Sequence, residues 1–532
     1  MVSPRVTTSG IWSSLFAPTR PFPISWVAGE PRGGAQLSQL PPRMSNQGLQ
    51  QLQDLRMYIG GRWVESTGAK RFEARSPATG RTIGTLPEGT REDAQRAIDA
   101  AQKGKAILAK MSTWDRSKIC ARVADVLEGR KEELARLLTL EQGKPYHTEA
   151  RAEVESTIEG WRDAAEHVKW LETSVIPVQD RHKRVITIRQ PRGVYAVVTP
   201  WNFPLNIPTE YLAPGLAAGN AIVWVPAPTT SAVAVKLVEC LEEAEVPAGA
   251  VNLVIGPGPV VGDEIVAHPG TDAVGFTGSS ATGEHIARRA AGKPLLLELG
   301  GNGPTLILDD ADLERAAQAT AFGAFFNAGQ VCSAAERILV HRRVYQEIAD
   351  RLVERAKQIH LGDPFDAGTQ MGPLNNQPVA LKTDRHIADA LTRGARVRTG
   401  GARAVGLATD LYYQPTVLTE VTRDSLINRE ETFGPVAPLA PFDSDEEALE
   451  WANDNTLGLV SAVFTRSLSR AHFFAERLRT GIVNVNDSTN YWELHIPFGG
   501  VAGKRSGIGR LGGKHTLMEM TDLRTVCFDV RS

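Results

Sequence analysis

The apolar positions of this chain follow two periods, one typical of helices and one typical of strands. Apolar residues recur at helical spacing over Glu92–Met111 and Ser117–Leu138, which predicts two amphipathic helices. Strands that alternate with helices then predict a parallel sheet with right-handed crossovers. The predicted strands are Val194–Thr199, Ala221–Val225, Val251–Ile255 and Ala273–Thr277, and the helices between them include Ser231–Ala244 and Val260–Ala267.

A second series of the same kind follows Gly301, so the predicted fold class is α/β with two such sheets. Its strands are Thr305–Leu308, Arg337–Val340, Leu459–Phe464 and Ile482–Asn486, and its helices are Leu313–Asn327 and Arg343–Ile359.

Two segments outside both series, Arg184–Gln190 and Leu523–Val530, alternate apolar and polar residues. We expect them to pair in a small separate sheet. The exposed edge of such a sheet favours contact with another subunit.

The composition excludes several classes of protein. The chain has 532 residues, of which 42% are hydrophobic and 23% charged, and a formal net charge of -2. These values are typical of a globular protein of two or three domains, and they favour neither nucleic acid nor a membrane as a partner. Four cysteines without a CxxC pair or a Cys/His cluster argue against a disulfide framework and against a metal site, and they favour a reducing compartment.

The first 43 residues differ from the rest of the chain. They are rich in Pro, Ser, Gly and Arg and contain one acidic residue, Glu30. This composition predicts a disordered extension, which we place at residues 1–50. Two origins stay open: translation that starts at Met44, which we favour and which gives a cytoplasmic protein, or an Arg-rich transit peptide, which gives a protein of the mitochondrial matrix.

Four segments contain side chains suited to catalysis or anion binding. Thr199-Pro-Trp-Asn-Phe-Pro-Leu205 follows a predicted strand, where ligands of parallel sheets bind, and offers the Asn202 amide. Gly275–Gly283 runs into a helix start, whose free N–H groups suit a pyrophosphate. Glu298 lies in an apolar run, where desolvation raises a carboxyl pKa and suits a general base, and Cys332 follows a predicted helix. Taken singly, a Pro-bounded turn, a glycine turn, a buried paired Glu and an inert Cys are equally good or better interpretations.

In combination these segments are far more specific. The chain resembles the aldehyde dehydrogenase superfamily from about Tyr58 to its C-terminus, and Glu298 lies 34 residues before Cys332, as in typical members. The matching motifs, in family order, are Thr199-Pro-Trp-Asn-Phe-Pro, Phe276-Thr-Gly-Ser, Glu298-Leu-Gly-Gly, Gly329-Gln-Val-Cys, Glu431-Thr-Phe-Gly-Pro and Pro497-Phe-Gly-Gly.

The resemblance implies an NAD(P)-dependent oxidation of an aldehyde to its carboxylic acid. Cys332 would attack the aldehyde as a thiolate, and the Asn202 side-chain amide and the Cys332 backbone N–H would hold the oxyanion. Glu298 would activate the water that hydrolyses the thioester. We expect NAD as the cofactor, with NADP as the alternative.

The resemblance also implies further site residues. Those expected at the cofactor are Thr199, Pro200, Trp201, Val225, Pro228, Gly278, Ser279, Leu299, Glu431 and Phe433. Those expected to border the aldehyde channel are Phe203, Ile207, Glu210, Tyr491, Trp492 and His495. The identity of the aldehyde stays open, because the aromatic residues favour an apolar or aromatic substrate whereas His495 or Arg505 suits a carboxylate or a hydroxyl.

Three positions depart from the family pattern. Val225 stands where members commonly have a Lys that holds the adenosine ribose, and Pro228 stands where NAD-selective members often have Glu. Both the attraction and the repulsion of a 2′-phosphate are therefore lost. Tyr211 stands where many members have Lys, which puts in doubt a proton relay through that position.

The resemblance divides the chain into three parts and implies a homodimer or homotetramer. We expect a Rossmann-like NAD(P)-binding domain over residues 51–172 and 193–298, a catalytic α/β domain over 299–514, and a small β oligomerisation flap over 173–192 and 515–532. The alternatives in function are a redox-silent protein of the same fold, a thiol esterase and a CoA-acylating enzyme. The cofactor-facing motifs argue against the first two, and Glu298 argues against the third.

Overall fold

The computed structural model describes Leu52 and residues 55–531. The predicted N-terminal extension and the start at Met44 therefore lie outside the described residues. The strands, in chain order, are β1 (Met57–Ile59), β2 (Arg62–Val64), β3 (Arg71–Arg75), β4 (Thr82–Pro87), β5 (Val175–Ile176), β6 (Lys183–Pro191), β7 (Val194–Val198), β8 (Ala221–Val225), β9 (Val251–Leu253), β10 (Ala273–Thr277), β11 (Leu295–Glu298), β12 (Pro304–Ile307), β13 (Arg337–His341), β14 (Arg396–Thr399), β15 (Thr416–Thr419), β16 (Val436–Phe442), β17 (Val460–Phe464), β18 (Ile482–Val485), β19 (Gly507–Ile508) and β20 (Thr521–Asp529).

The helices connect these strands and cover the sheets. They are α1 (Arg91–Leu108), α2 (Thr113–Gly129), α3 (Lys131–Gln142), α4 (Arg151–His167), α5 (Asn206–Ala218), α6 (Ser231–Glu243), α7 (Asp263–Ala267), α8 (Ser280–Arg289), α9 (Leu313–Phe325), α10 (Tyr345–Lys357), α11 (Gln377–Thr392), α12 (Leu426–Arg429), α13 (Asp445–Asn453), α14 (Leu468–Arg477) and α15 (Gly513–Glu519).

Two large sheets organise the chain, in agreement with the predicted α/β class. The first has the order β19-β11-β10-β7-β8-β9-β1-β2, and the second has the order β14-β15-β16-β13-β12-β17-β18. The central strands of both sheets pair in parallel, as predicted. The edges differ from the prediction, because β1, β2, β14 and β19 pair antiparallel. Every residue of β8 and β10 is buried, which explains their continuous apolar runs.

The hydrophobic core follows the same division. One cluster packs buried residues between Leu55 and Leu299, together with three residues near the C-terminus. Two further clusters on the second sheet pack residues between Leu306 and Leu478. This separation supports a domain boundary after residue 298, which remains a prediction together with the cofactor and catalytic roles of the two parts.

Two predicted helices end differently in the structure. The helix predicted over Ser117–Leu138 is two helices, α2 and α3, separated at Arg130, whose φ of -109° and ψ of 11° are not helical. Apolar spacing continues across this one-residue interruption, so periodicity does not reveal it. The helix predicted over Leu313–Asn327 ends at Phe325, because Asn327 and Ala328 have φ values of 50° and 54°.

The two alternating segments outside both series do pair with each other. β20 runs antiparallel to β6 over its full length, from the pair Thr521–Pro191 to the pair Asp529–Lys183, and β5 adds a third strand. Lys183 Nζ also lies 2.6 Å from the Asp529 carboxylate at the far end. Leu523 and Phe528 are about half exposed and, being five residues apart on β20, lie on opposite faces, so each face of this sheet leaves an apolar side chain uncovered within the chain.

Candidate active site

The three predicted catalytic residues follow elements of both large sheets. Asn202 lies in the loop after β7, Glu298 ends β11, and Cys332 lies between α9 and β13. Asn202 Nδ2 donates to the Gln330 carbonyl at 3.1 Å, two residues before Cys332. The Glu298 carboxyl lies close enough to the Cys332 thiol for a hydrogen bond and for their charges to interact. The structure therefore brings the amide, the carboxyl and the thiol together.

A sharp turn presents Cys332 at the end of α9. Asn327, Ala328 and Gly329 all have left-handed φ, at 50°, 54° and 72°. A Cβ on Gly329 would lie 2.2 Å from the Gly434 carbonyl oxygen, so both its φ and its surroundings require glycine. Left-handed backbone at residues other than glycine is strained and persists where packing fixes it, which is typical of functional sites.

The surroundings of Cys332 keep its thiol protonated. Burial, followed by the carboxyls of Glu298, Glu431 and Glu210, raises the thiol pKa well above its usual value. The thiol nevertheless retains partial exposure, whereas Cys120 and Cys240 are buried and Cys527 is exposed on β20. The thiolate that reacts with an aldehyde therefore forms only when a neighbouring base takes the proton.

Glu298 is the base that the geometry offers. Its side chain is buried, with 4% exposure, and its Oε1 atom has no hydrogen-bond partner among the described residues. Burial raises its pKa to about 8, and the interaction with the Cys332 thiol opposes part of this rise. A carboxyl with this pKa exchanges a proton near neutral pH, as a general base does.

The predicted pyrophosphate segment lies at the start of α8. Ser279 caps this helix by accepting a hydrogen bond from the Thr282 N–H at 3.3 Å, and its side chain is exposed. A Cβ on Gly278 would lie 2.5 Å from the Phe276 ring, so a side chain at this position would require that ring to shift. Leu299 is buried, and its side chain fills the space beside Gly283.

The predicted nicotinamide residues lie on the loop before β16. Glu431 Oε1 accepts the Gly301 N–H at 3.0 Å, next to the glycine pair that follows Glu298. The Trp201 and Phe433 rings meet edge to face, with centroids 5.5 Å apart. Phe433 has a left-handed φ of 60°. Through the contact between Phe433 and Trp201, the loop before β16 packs against the loop that contains Asn202.

The predicted adenosine residues divide into buried and exposed positions. Val225 has 1% exposure, so its side chain offers no surface to a ligand, whereas Pro228 is exposed at the start of a short 3-10 turn. Thr199 is buried, and its hydroxyl accepts the Trp224 indole N–H at 2.9 Å. Pro200 is half-buried.

The predicted channel residues on α5 and the preceding loop are mostly enclosed. Ile207 is buried, and the Phe203 ring stacks on Phe326 with centroids 6.1 Å apart. Glu210 accepts the Asn206 side-chain amide at 3.2 Å. Burial, followed by the charge of Glu298, raises the Glu210 pKa well above its usual value.

The remaining channel residues lie on the loop after β18. Trp492 packs with Cys332 against Leu459 and Phe498, whereas Tyr491 and His495 are exposed. A small cavity is lined both by Glu210 of α5 and by Leu494 of the loop after β18. Of the three predicted residues on this loop, Trp492 therefore shares an apolar cluster with Cys332.

Several residues of the site carry no signal that the sequence analysis used. Glu336 accepts the N–H groups of Thr432 and Phe433 at 2.9 and 2.6 Å and so holds the Glu431 loop. Lys144 and Glu153 contact the Asn202 loop. Each of these three charged residues is buried, and because burial is visible only in the structure, the sequence alone carried no signal for them.

Tyr211, the position that departs from the family pattern, is fully buried. Its hydroxyl shares a hydrogen bond with Thr277 Oγ1 at 2.8 Å, and a Cβ on Gly275 would lie 2.6 Å from its ring. Burial raises the Tyr211 pKa well above its usual value. The phenol therefore fills the space beside β10 as a neutral group.

Two further searches bear on partners. Across Leu52 and residues 55–531, no group of three or more His, Cys, Asp or Glu side chains is arranged to hold a metal ion. In the same part of the chain, no helix combines the length and the apolar character that crossing a membrane requires.

Comparison with known proteins identifies close relatives. Residues 63–526 match the sequence model of the aldehyde dehydrogenase family. The chain is 37% identical over 472 residues to the mitochondrial succinate-semialdehyde dehydrogenase of Oryza sativa subsp. japonica, covering 88% of each chain. It is also 37% identical over 472 residues to the NADP(+) succinate-semialdehyde dehydrogenase of Escherichia coli (strain K12), covering 88% of this chain and 96% of that one. A crystal structure of betaine aldehyde dehydrogenase from Staphylococcus aureus with NAD+ is 35% identical, with a TM-score of 0.88, and covers 92% of this chain and 97% of that chain.

Proposed function

Because the chain belongs to the aldehyde dehydrogenase family, and so oxidises an aldehyde to its acid with NAD(P)+, we propose that Cys332, Glu298 and Asn202 carry out that reaction. Cys332 is the nucleophile, Glu298 the general base and Asn202 the oxyanion donor. The observation that carries the assignment is the buried Glu298 carboxyl, which has a pKa of about 8 and acts on the Cys332 thiol.

The first step joins the aldehyde to sulfur. Glu298 takes the thiol proton, the sulfur of Cys332 forms a bond to the carbonyl carbon, and the carbonyl oxygen becomes an oxyanion. Asn202 Nδ2 donates one hydrogen to Gln330 and has a second for this oxyanion. The Cys332 backbone N–H donates to no described residue and supplies another hydrogen bond.

The second step releases the acid. NAD(P)+, held by the cofactor residues described below, would supply the hydride acceptor, and loss of hydride from the carbon attached to sulfur would leave a thioester on Cys332. Glu298 first loses its proton to solvent, which its pKa of about 8 permits near neutral pH. It then takes a proton from water as that water attacks the thioester carbon, and the carbon–sulfur bond breaks.

The described residues fit two of the three parts of the cofactor, the pyrophosphate and the nicotinamide with its ribose, but not the adenosine ribose. The start of α8 offers the exposed Ser279 and the first N–H groups of the helix to a pyrophosphate. Glu431, beside the Gly301 N–H, offers a carboxylate to the nicotinamide ribose, and Phe433 offers its ring to the nicotinamide, whereas Trp201, which touches Phe433, is proposed to contact the adenosine and pyrophosphate part. The adenosine ribose does not gain a contact from the buried Val225 side chain. With neither a Lys at 225 nor a Glu at 228, we propose NAD as the preferred cofactor and NADP as a usable one.

Two variants test the catalytic assignment. Cys332→Ala removes the nucleophile and abolishes NAD(P)H formation, whereas the matched variant of a buried thiol, Cys240→Ala, keeps the wild-type rate. Glu298→Gln gives at most a burst of NAD(P)H equal to the number of active sites, followed by turnover roughly 10²- to 10⁴-fold slower. Measurable steady oxidation by Cys332→Ala would refute the assignment. Ester hydrolysis by the wild type without any aldehyde oxidation would support a thiol esterase instead.

The charges near Cys332 support a class of aldehyde. Glu210 contacts no Lys, Arg or His among the described residues, and its carboxyl lies close enough to Glu298 for their charges to interact. A substrate carboxylate would add an anion beside these two carboxyls and raise their pKa further, whereas an ammonium group would favour the ionised form of Glu210 and pair with it. We therefore propose neutral or cationic aldehydes, of which betaine aldehyde is the example named for the Staphylococcus aureus relative, over succinate semialdehyde.

Assembly and location complete the proposal. The half-exposed Leu523 and Phe528, one on each face of the small sheet formed by β5, β6 and β20, support a homodimer or homotetramer built through this sheet. We propose a cytoplasmic enzyme, since its four cysteines are free thiols. The rice relative is named as mitochondrial. A reporter fused to residues 1–50 that entered mitochondria would support the matrix instead.

A further inference from the structure

We propose that the buried ion pair of Lys144 and Glu153 positions Asn202 for oxyanion binding. Both side chains lie outside the reaction itself, so they are positioning residues. The inference rests on the proposed role of Asn202 and extends it.

The pair is almost completely withdrawn from solvent. Lys144 Nζ lies 2.5 Å from Glu153 Oε2, and the two side chains are 0% and 1% exposed. Burying two charges costs free energy that their attraction offsets only when further hydrogen bonds satisfy both groups. In this protein those further bonds all go to one loop.

Both charges hold the backbone around Asn202. Lys144 Nζ donates to the Asn202 carbonyl at 2.9 Å and lies 4.0 Å over the centroid of the Phe203 ring. Glu153 Oε1 accepts the Leu205 and Asn206 N–H groups at 2.9 and 3.2 Å. The pair therefore fixes the loop on both sides of its turn into α5.

A shared amide connects this loop to the nucleophile segment. Asn327 Nδ2 donates to the Asn202 carbonyl at 3.1 Å and to the Gln330 carbonyl at 3.3 Å. Asn202 Nδ2 donates to the same Gln330 carbonyl at 3.1 Å. Because two carbonyl oxygens repel, the Asn202 amide cannot rotate to place its Oδ1 there. The pair thus sets where the remaining Asn202 hydrogen lies relative to Cys332.

The chain offers a matched control for a purely structural role. Glu141 is also a buried carboxyl, and it accepts the Ala232 and Val233 N–H groups at 2.8 and 2.7 Å, at the start of α6. Among the described residues, its side chain forms no hydrogen bond or ion pair with the Asn202 loop. Glu141→Gln therefore disturbs the same kind of helix start without moving the oxyanion donor.

A double-mutant cycle on the acylation rate tests the proposal. We would measure the single-turnover rate of NADH formation, with enzyme in excess over aldehyde, for Lys144→Met, Glu153→Gln and Glu141→Gln. Each variant is made in the wild-type protein and in Asn202→Ala. Melting temperature and NAD affinity, from quenching of tryptophan fluorescence, accompany each rate.

We expect Lys144→Met and Glu153→Gln to slow the burst roughly 10- to 100-fold in the wild-type background, because a displacement of about 1 Å costs on this order. In Asn202→Ala the same changes should slow it less than about threefold, since the group that they position is absent. Glu141→Gln should lower the melting temperature and keep the wild-type burst rate.

Three outcomes overturn the proposal. They are an equal loss of rate in both backgrounds, no loss in the wild-type background, and a loss of the same size in Glu141→Gln. An Asn202→Ala variant with the wild-type rate would overturn the oxyanion assignment as well, which separates the two failures. If Lys144→Met does not fold, Glu153→Gln, which keeps the shape of the side chain, decides the question alone.

Discussion

Replacing Glu298 by Gln should make the protein more stable, and increasingly so as pH rises. The buried Glu298 carboxyl has a pKa of about 8, against an ordinary value of 4.5. Between these two values the unfolded chain releases the proton and the folded protein keeps it. Because the folded state then binds more protons, its stability falls as pH rises from about 4.5 to about 8 and is constant above that range.

The size of the effect follows from this difference in pKa. Each pH unit within the window costs at most about 1.4 kcal/mol. With a folded pKa of about 8, the contribution at pH 8.5 is larger than at pH 6 by roughly 2–3 kcal/mol. Gln cannot ionise, so the Glu298→Gln variant should gain this amount relative to the wild type over that interval.

The assay measures the free energy of unfolding in urea at about pH 6, 7 and 8.5, with tryptophan fluorescence as the signal. Melting temperature serves as a second measure. Glu446→Gln, on the exposed side of α13, serves as the control and should differ from the wild type by the same amount at each pH. A stability difference for Glu298→Gln that does not change with pH would refute the argument, because it would mean that this carboxyl ionises normally in the folded protein.

Further predictions concern substrate, assembly and the N-terminus. Glu210→Gln should lower kcat/KM for betaine aldehyde relative to propanal by about tenfold, the equivalent of 1.4 kcal/mol, and an unchanged ratio would exclude a cation at that carboxyl. Deleting the residues after Leu523 should lower the mass seen by light scattering and the melting temperature, since β20 pairs with β6 along its length. A chain that starts at Met44 should match the full chain in activity and melting temperature.

The parallel strands were predictable because each is buried on both faces. β8 and β10 have the predicted limits, since an unbroken apolar run between glycine-rich or proline-rich turns has few alternatives. The antiparallel edges were not predictable in this way. β19 contains two residues, and only its position next to β11 makes it a strand.

The turn before Cys332 shows a second limit. Helical spacing continues through Asn327, but a left-handed φ at Asn327 and Ala328 ends the helix earlier. Packing of Gly329 against the Gly434 carbonyl, a hydrogen bond from the Gln142 side chain to Asn327 Oδ1, and one from the Asn327 N–H to the Glu149 carboxylate impose this conformation. Those partners are distant in sequence, so no local pattern contains the information.

Four buried glutamates of this protein separate into two kinds by what their oxygens contact. Glu141, Glu153 and Glu336 each accept two backbone N–H groups, at the starts of α6 and α5 and on the Glu431 loop. A carboxylate that accepts two N–H groups holds a chain segment in place, and adding a proton to it would disturb those hydrogen bonds.

Glu298 accepts no backbone N–H among the described residues, and its Oε1 has no partner there. Leaving a buried oxygen without a partner costs free energy, so its retention beside the Cys332 thiol is explained if that oxygen receives a proton from the thiol and later from water. All four carboxyls are buried, which is why sequence alone left a paired structural Glu298 open as the alternative to a base, and why the hydrogen-bond pattern supports the base.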